Sequence, residues 1–236
     1  MGKVKRKNEY LEIVFEDRWV IVVNKPSGLL SMSAGRTGEE TAYSMLYDYA
    51  GKIFIVHRLD RDTSGLMVFA KDEDTKLSLQ ENWDEAVTER KYEAVLEGNI
   101  EDEEGWIETW LYENTKSMKV HAYPLRPDED SSRPPRKDWQ FAATNCRTLN
   151  RFTIEGKPYT SVEFELETGR KNQIRVHMSD LGHPVVGDER YGSECNPLNR
   201  LALHAFKLSF YHPVTGELME FETPYPSAFK SLMLRK

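Results

Sequence analysis

The chain has few cysteines, no long apolar run and no excess of positive charge, and each absence excludes a class of protein. Its 236 residues include two cysteines, Cys146 and Cys195, without paired Cys and His spacing, so neither a disulfide framework nor a zinc ribbon is indicated. No apolar run approaches the roughly 20 residues that cross a bilayer. The basic N-terminus has no apolar stretch behind it and is not a secretory signal. We therefore expect a cytoplasmic protein with reduced thiols.

The formal net charge of −7 argues against indiscriminate binding of nucleic acid. Nonspecific affinity of that kind depends on many contacts from Lys and Arg to phosphate. The charge is unevenly distributed, however, because acidic residues concentrate within 97–113. Basic residues collect within 58–61, 116–119, 133–137 and 170–175. If these basic segments converge, they form a positive surface that binds a folded RNA at one face.

The apolar pattern predicts many strands in neighbouring runs with few helices between them. Strands are expected near 12–15, 19–24, 66–70, 91–97, 106–112, 118–123, 141–149, 159–167, 203–211 and 218–222. Helices are expected behind a capping-box pattern at 37–40, over 72–88 with Leu77 and Leu79 inward, over 172–181 and from Ser227. This order favours an α+β class with a mainly antiparallel sheet. We expect residues 1–10 to be a disordered basic tail and 11–236 a single domain.

The segment HRLDRDTSG, residues 57–65, places the carboxylate of Asp60 between two guanidiniums, Arg58 and Arg61. Flanking positive charge favours the ionised carboxylate. The same charge attracts a phosphate-bearing substrate. In an arbitrary protein such a segment is more often a surface turn with mutual ion pairs than a catalytic site. The interpretation therefore depends on other segments of the chain.

Four further segments occur together with HRLDRDTSG. They are NKPSGL at 24–29, KYEA at 91–94, GRKNQIRVHM running into LGHPVVGDERYG over 169–192, and RLALHA at 200–205. Together, and in this order, the five segments resemble the signature set of the RluA-type family of RNA pseudouridine synthases. The resemblance extends from about residue 13 to residue 224.

The resemblance implies a pseudouridine synthase catalytic domain, built on a mixed, mainly antiparallel sheet with flanking helices and a central cleft. It also implies the reaction, which isomerises specific uridines to pseudouridine in a stem-loop of rRNA or tRNA. The base is flipped out of the stack, and no cofactor is required. Many relatives carry a small RNA-binding domain in front of the catalytic domain. Only about ten residues precede the first predicted strand here, so we expect that module to be absent.

By its place in the HRLD motif, Asp60 is the carboxylate that the family would use. This group could attack carbon 1′ of the sugar, attack carbon 6 of the base, or remove the proton at carbon 2′, and the sequence leaves all three routes open. The competing carboxylate is Asp62, whose alternative role is to cap the turn together with Thr63.

The resemblance assigns roles to three more residues. Arg58 would stack in the gap left by the flipped uridine, with a plain phosphate contact as the alternative. Tyr92 would stack on the uracil and could assist proton removal from carbon 5, with core packing as the alternative. Arg175 would pair with the catalytic aspartate and keep it ionised.

The remaining candidates are basic residues and histidines of the same segments. Arg61, Arg170 and Lys171 are expected to bind RNA phosphate, with a solvated helix face as the alternative for the last two. Helical spacing would put Lys171 and Arg175 on one face. His177 and His183 lack metal-ligand spacing, so we expect them to be structural and expect no metal site.

Two other functions are compatible with parts of the sequence. A catalytically silent RNA-binding or ribosome-assembly factor would keep the fold but would not need Asp60, Tyr92 and Arg175. A glycoside hydrolase would need a second placed carboxylate, and no motif supplies one. Selection of the uridine is expected to depend on loops at 34–40 and 126–138. With no apolar surface stripe and no membrane segment, a monomer is the expected state.

Overall fold

The computed structural model describes residues 2–6, 9–33, 38–126 and 131–234. Its elements in chain order are β1 (Gly2–Arg6), β2 (Glu9–Glu16), β3 (Val20–Lys25), α1 (Ala42–Ala50), β4 (Phe54–Ile55), β5 (Ser64–Ala70), α2 (Glu73–Glu81), α3 (Trp83–Ala86), β6 (Val87–Glu97), β7 (Glu104–Asn114), β8 (Lys119–Pro124), β9 (Gln140–Ile154), β10 (Lys157–Leu166), α4 (Gln173–Asp180), a 3-10 turn (Glu189–Tyr191), β11 (Leu203–Tyr211), β12 (Leu218–Glu222) and α5 (Ser227–Met233).

These elements form two compact units. The first unit contains Met1–Arg90 and Leu203–Tyr225, and the second contains Lys91–Ala202 and Pro226–Lys236. This division into compact units does not test the prediction that residues 11–236 are a single catalytic domain. The single domain therefore stays a prediction. None of the helices in the described ranges is both long and apolar enough to span a membrane.

The sheet of the first unit has β5 at its centre. Strand β3 pairs with β2 and β5 in antiparallel fashion, and β11 pairs with β5 in parallel and with β12 in antiparallel fashion. All seven residues of β5 are buried, as expected of a strand that is covered on both faces. Val22, Val68, Leu79 and Phe210 belong to the core cluster that packs on one of these faces.

Three details of the first unit differ from the sequence predictions. Residues 2–6, expected in a disordered tail, form β1, which pairs with β2 through backbone groups that do not depend on side-chain charge. The capping box belongs to Thr41 and Ser44, whose side chains accept each other's backbone N–H at 3.0 and 2.9 Å. The position predicted for it, residue 37, lies outside the described residues.

The single helix predicted over 72–88 is wrong. Helix α2 ends at Glu81, the short α3 follows, and the chain enters β6 at Val87. Leu79 is buried as predicted, whereas Leu77 is 42% exposed. The strand predicted at 91–97 begins earlier, at Val87, and the Thr88 hydroxyl donates to the Ser209 carbonyl of β11 at 3.4 Å. A helical pattern read locally cannot anticipate this contact with a strand more than 100 residues further along the chain.

The second unit contains an antiparallel sheet in the order β6, β10, β9, β7 and β8, with a bulge in β10 at Ser161 and Val162. Helix α4 packs on one face of this sheet, where Val176 joins Leu111, Val120 and Ala142 in a buried cluster. The predicted α+β class with a mixed, mainly antiparallel sheet is confirmed.

Candidate active site

The HRLDRDTSG segment is an irregular stretch that leads into β5, and the NKPSGL turn holds its backbone. The Lys25 side chain is fully buried, and its Nζ donates to the carbonyls of Pro26, Leu29 and Arg61 at 2.9, 2.7 and 2.9 Å. The Gly28 N–H also donates to the Arg61 carbonyl at 2.9 Å. A buried ammonium is tolerated when it is hydrogen-bonded in this way. The two segments therefore form one local structure.

Two serines fix the backbone on either side of Asp60. The Ser31 hydroxyl donates to the Leu59 carbonyl at 2.7 Å and lies 3.2 Å from the Leu59 N–H, which donates to it. The Ser27 hydroxyl donates to the Asp62 carbonyl at 2.6 Å. Hydrogen bonds thus hold the backbone at residues 59, 61 and 62. The side chains of Arg58 and Arg61 are exposed, and the side chain of Asp60 is half-buried.

His57 anchors the start of the segment as a neutral ring. Its Nε2 accepts the Val68 N–H at 3.1 Å, and the ring packs on Trp83 with centroids 4.8 Å apart. Burial, with a smaller effect of the Arg90 charge, lowers the pKa of His57 to about 3. His57 is therefore uncharged near neutral pH, and it fixes the position of the segment without adding a charge to it.

Gly65 ends the segment at the closest approach of β5 to β11. Its φ is +122°, and a Cβ there would lie 2.1 Å from the Ala205 carbonyl oxygen. Beside it, the Ser64 hydroxyl lies 2.7 Å from His204 Nδ1, and His204 Nε2 lies 3.0 Å from the Thr223 hydroxyl. Only glycine fits this contact. The hydrogen bonds on both ring nitrogens also make His204 a satisfied core histidine.

Asp60 itself is half-buried between two exposed arginines, Arg58 and Arg61. The Arg61 guanidinium forms an ion pair with Glu39 at 2.6 Å, and both side chains are more than 40% exposed. Exposed pairs of this kind contribute at most about 1 kcal/mol, so a phosphate can compete for the guanidinium. The side chain of the competing carboxylate, Asp62, is exposed.

In the second unit, the prediction that Lys171 and Arg175 share one helix face is wrong. Helix α4 begins at Gln173, and Asn172 precedes it with a left-handed φ of 56°. Lys171 therefore lies before the helix, where its ammonium pairs with Glu113. Arg175 instead points into the structure and is 8% exposed. The i, i+4 spacing failed because Lys171 precedes the helix, which begins only after the left-handed Asn172.

Arg175 is held by a network that the sequence interpretation did not identify. Its Nε and Nη2 donate to the two carboxylate oxygens of Asp188 at 2.6 and 2.9 Å, and Nη1 donates to Asn172 Oδ1 at 2.9 Å. The guanidinium lies 5.0 Å from the Tyr191 ring centroid. The Asn172 amide in turn donates to the Tyr191 hydroxyl at 3.0 Å. A bidentate pair fixes both the position and the plane of the guanidinium.

Asp188 and Tyr191 lie in LGHPVVGDERYG, a segment of the family resemblance in which neither residue was given a role. Asp188 is 3% exposed and Tyr191 is 2% exposed. The pairing could have been suggested by Asp188, an acidic residue next to Gly187 in a motif that follows Arg175 in the sequence. The sequence could not show that these 13 residues of separation close into one contact.

Tyr92 and Glu93 are neighbours on β6 with different surroundings. Tyr92 is half-buried and lies opposite Phe164 of β10. Glu93 is 1% exposed, its Oε1 accepts the Ser161 hydroxyl at 2.8 Å, and within the described structure its Oε2 has no hydrogen-bond partner. Burial raises the pKa of Glu93 to about 7. Near neutral pH, this buried carboxyl is therefore partly protonated.

The other candidates of the second unit are anchored in different ways. Arg170 is exposed, and its Nε donates to the Phe141 carbonyl at 3.0 Å. His177 lies between the hydroxyls of Thr109 and Thr144 at 2.9 and 3.0 Å, and burial lowers its pKa to about 4. His183 Nδ1 lies 2.9 Å from the Glu97 carbonyl. Both histidines have the structural hydrogen bonds that were predicted.

Comparison with known proteins agrees with the family resemblance. Residues 19–180 match the family model for RNA pseudouridylate synthase. The dual-specificity RNA pseudouridine synthase RluA of Vibrio vulnificus is 37% identical over 230 residues, which cover 93% of this chain and 86% of that protein. The ribosomal large subunit pseudouridine synthase D of Pasteurella multocida is 34% identical over 248 residues, covering 96% of this chain and 71% of the relative.

A solved structure agrees as well. Human RNA pseudouridylate synthase domain containing 1 superposes with a TM-score of 0.72 at 28% identity, covering 95% of this chain and 85% of the other. The fold is therefore that of a pseudouridine synthase domain. The chain belongs to the RNA pseudouridylate synthase family, whose members are isomerases that convert uridine to pseudouridine in RNA. The predicted RluA-type membership is confirmed.

Proposed function

We propose that this RNA pseudouridine synthase uses Asp60 as its catalytic carboxylate. The observation that supports this assignment is the way the segment is built. Hydrogen bonds to the backbone at Leu59, Arg61 and Asp62 fix the chain, and in the sequence Asp60 lies between two exposed arginines, Arg58 and Arg61. The neighbouring guanidiniums can attract the phosphates of an RNA substrate to the position of this carboxylate.

The reaction breaks the bond between nitrogen 1 of uracil and carbon 1′ of ribose, turns the base, and joins carbon 5 to carbon 1′. The proton on carbon 5 is lost in the last step and nitrogen 1 gains a proton, so the product is an isomer and no oxidant or external reactant is needed. Asp60 can serve as nucleophile at carbon 1′ or carbon 6, or as base at carbon 2′. Tyr92 is proposed to stack on the uracil and assist proton removal from carbon 5.

Arg175 is proposed to keep the catalytic carboxylate ionised, as the resemblance implies. Its bidentate contact with Asp188 supports a role that requires a fixed guanidinium. Arg58, Arg61, Arg170 and Lys171 are proposed to contact RNA, with Arg58 also able to fill the gap left by a flipped uridine. All four retain partly or fully exposed side chains.

The substrate is proposed to be a stem-loop of rRNA or tRNA. Two relatives support this proposal by their names, one as a dual-specificity enzyme and one as an enzyme of the large ribosomal subunit. We also propose that residues 11–236 work as one catalytic domain in a monomeric, cytoplasmic protein, without a cofactor or a metal.

The test is a comparison of Asp60→Asn with Asp62→Asn. Pseudouridines are mapped across the cellular RNA of a strain that lacks the protein and is complemented with each variant. We expect Asp60→Asn to restore none of the missing sites and Asp62→Asn to restore all of them, because only the first removes the reacting carboxylate. Full modification by Asp60→Asn would refute the assignment. Rescue of growth without any modification would favour a silent RNA-binding factor.

A further inference from the structure

An aromatic surface lies at the β8 edge of the second unit. Tyr112 of β7 pairs across the strands with His121 of β8, and their rings are stacked at 5.3 Å. Trp139, just before β9, stacks with Tyr123 at 4.4 Å and with Tyr112 at 5.7 Å. In each of these three pairs the ring planes differ by 23°. We call these four residues the aromatic platform.

The aromatic platform is accessible. Tyr123 is 42% exposed, and the other three members are half-buried. Large apolar groups of this size usually pack inside a domain, and several together at a sheet edge indicate a surface that meets another molecule. A turn in which the Trp139 N–H donates to the Arg136 carbonyl at 3.0 Å fixes the position of Trp139.

The charge around the platform is positive, in contrast to the chain as a whole. The Arg136 guanidinium lies 5.5 Å from the Trp139 ring centroid. Within the described residues 119–126 and 131–139, the charged side chains are Lys119, Arg126, Arg133, Arg136 and Lys137 against Asp138. The acidic residues 128–130 lie outside the described residues. The described charges favour an anionic partner.

We propose that the aromatic platform binds unpaired nucleotides of the RNA substrate, with bases stacked on its rings and phosphates on the flanking basic side chains. Rings that are already nearly parallel extend readily into a stack with a nucleobase, and every base has a face to offer. Strand-borne aromatic residues combined with Arg are the usual means of holding single-stranded RNA. The inference rests on the proposed function, because it assumes that RNA is the substrate.

None of the four platform residues is proposed to act in catalysis. The platform would therefore hold RNA that flanks the target uridine rather than the reacting base. Arg170, a predicted phosphate contact, donates to the Phe141 carbonyl, two residues along the chain from Trp139. Binding energy from such a remote contact lowers KM and leaves the chemical step unchanged when it is equal in ground and transition states.

The test measures binding of a fluorescein-labelled oligouridine to the full chain by anisotropy. Trp139→Leu and Tyr123→Leu are each expected to weaken binding about 10-fold, whereas Trp139→Phe keeps a ring and is expected to stay within about 3-fold of the original affinity. Trp106→Leu is the matched control. Trp106 is 54% exposed on β7, the strand that carries Tyr112, and lies between Glu104 and Glu108. It should bind oligouridine unchanged, and an RNA duplex of the same length should be insensitive to all four changes.

Kinetics on the RNA identified by the mapping experiment provide the second readout. Trp139→Leu should raise KM with kcat retained, and Arg136→Gln should lower the dependence of log K on log salt by about one. Thermal unfolding of each variant shows whether it is folded, and Tyr123→Leu removes the more exposed ring if Trp139→Leu is unstable.

Unchanged oligouridine binding and KM in folded Trp139→Leu and Tyr123→Leu would overturn the platform. Such a result would leave a protein contact or simple packing as the role of these rings. The Asp60→Asn variant separates the two proposals, because it should bind oligouridine normally while forming no pseudouridine. Persistent modification by Asp60→Asn would refute the catalytic assignment whatever the platform variants do.

Discussion

The segment around Asp60 and the network around Arg175 are fixed by opposite means. At Asp60, buried groups such as Lys25 and Ser31 hold the backbone and leave the motif's own charged side chains accessible. At Arg175, the charged side chain itself is buried and held by Asp188 and Asn172. The first arrangement fixes the backbone around a group that is proposed to meet the substrate, and the second fixes a charge in place. The two should respond differently to mutation.

The largest effect is expected from Asp188→Ala, which leaves the Arg175 guanidinium buried without its bidentate partner. Loss of one member of a buried ion pair costs about 3–5 kcal/mol of unfolding free energy. Urea unfolding measures this loss. Glu113→Ala is the control, since it removes the exposed partner of Lys171 and should cost less than about 1 kcal/mol. Equal costs for the two changes would contradict the difference between buried and exposed pairs.

A smaller loss is expected from Lys25→Met, which keeps the buried chain but removes the donor to three carbonyls. Orphaned acceptors of this kind cost about 1–3 kcal/mol each when they stay dry, and partial hydration should limit the total to about 2–4 kcal/mol. Because the change removes one of the two donors that hold the Arg61 carbonyl, kcat should fall as well. Lys71→Met, at a more exposed ammonium that donates to Glu16 and Asp17, should leave kcat unchanged.

A normal kcat in folded Lys25→Met would show that the NKPSGL turn is not needed to hold Asp60. Stability alone would not decide the question, because a destabilised protein can still be active when folded. Stability and kcat measured together therefore test whether the hydrogen bonds that hold the backbone around Asp60 are needed for activity.

The smallest effect is expected from the pH dependence of Glu93. Its folded pKa of about 7 lies above the ordinary value of 4.5, so the folded chain binds the proton more tightly than the unfolded chain. Its contribution to stability is therefore greatest below about pH 4.5 and falls as pH rises towards 7, by about 1–3 kcal/mol. Glu93→Gln should remove this slope from urea unfolding measured across that range.

Glu165→Gln is the matched control for the pH experiment. Glu165 lies on β10 and pairs with Lys91 at 3.6 Å, so its replacement should leave the Glu93 slope in place. A Glu93→Gln protein with an unchanged pH profile would show that this carboxyl titrates normally.

The sequence was sufficient for the family and the fold class, because five ordered segments and a succession of strands are local features. It was insufficient where distant residues decide the structure. The helix expected over 72–88 failed because β6 already begins at Val87, where the Thr88 hydroxyl donates to the Ser209 carbonyl of the distant strand β11. Asp188, the bidentate partner of Arg175, is 13 residues away along the chain, and the Arg61 carbonyl that accepts from Lys25 is 36 residues away. No local pattern encodes these two approaches. The aromatic platform was missed because its rings come from separate elements and, taken singly, resemble core residues.

The close contact at Gly65 limits how the enzyme could be re-engineered. A carbonyl oxygen of Ala205 occupies the place of a side chain, so any replacement would force two strands apart rather than alter a surface. Libraries aimed at new RNA targets should therefore keep position 65 constant. They should vary instead the exposed positions 58 and 61, whose side chains can change while hydrogen bonds at residues 59, 61 and 62 hold the backbone.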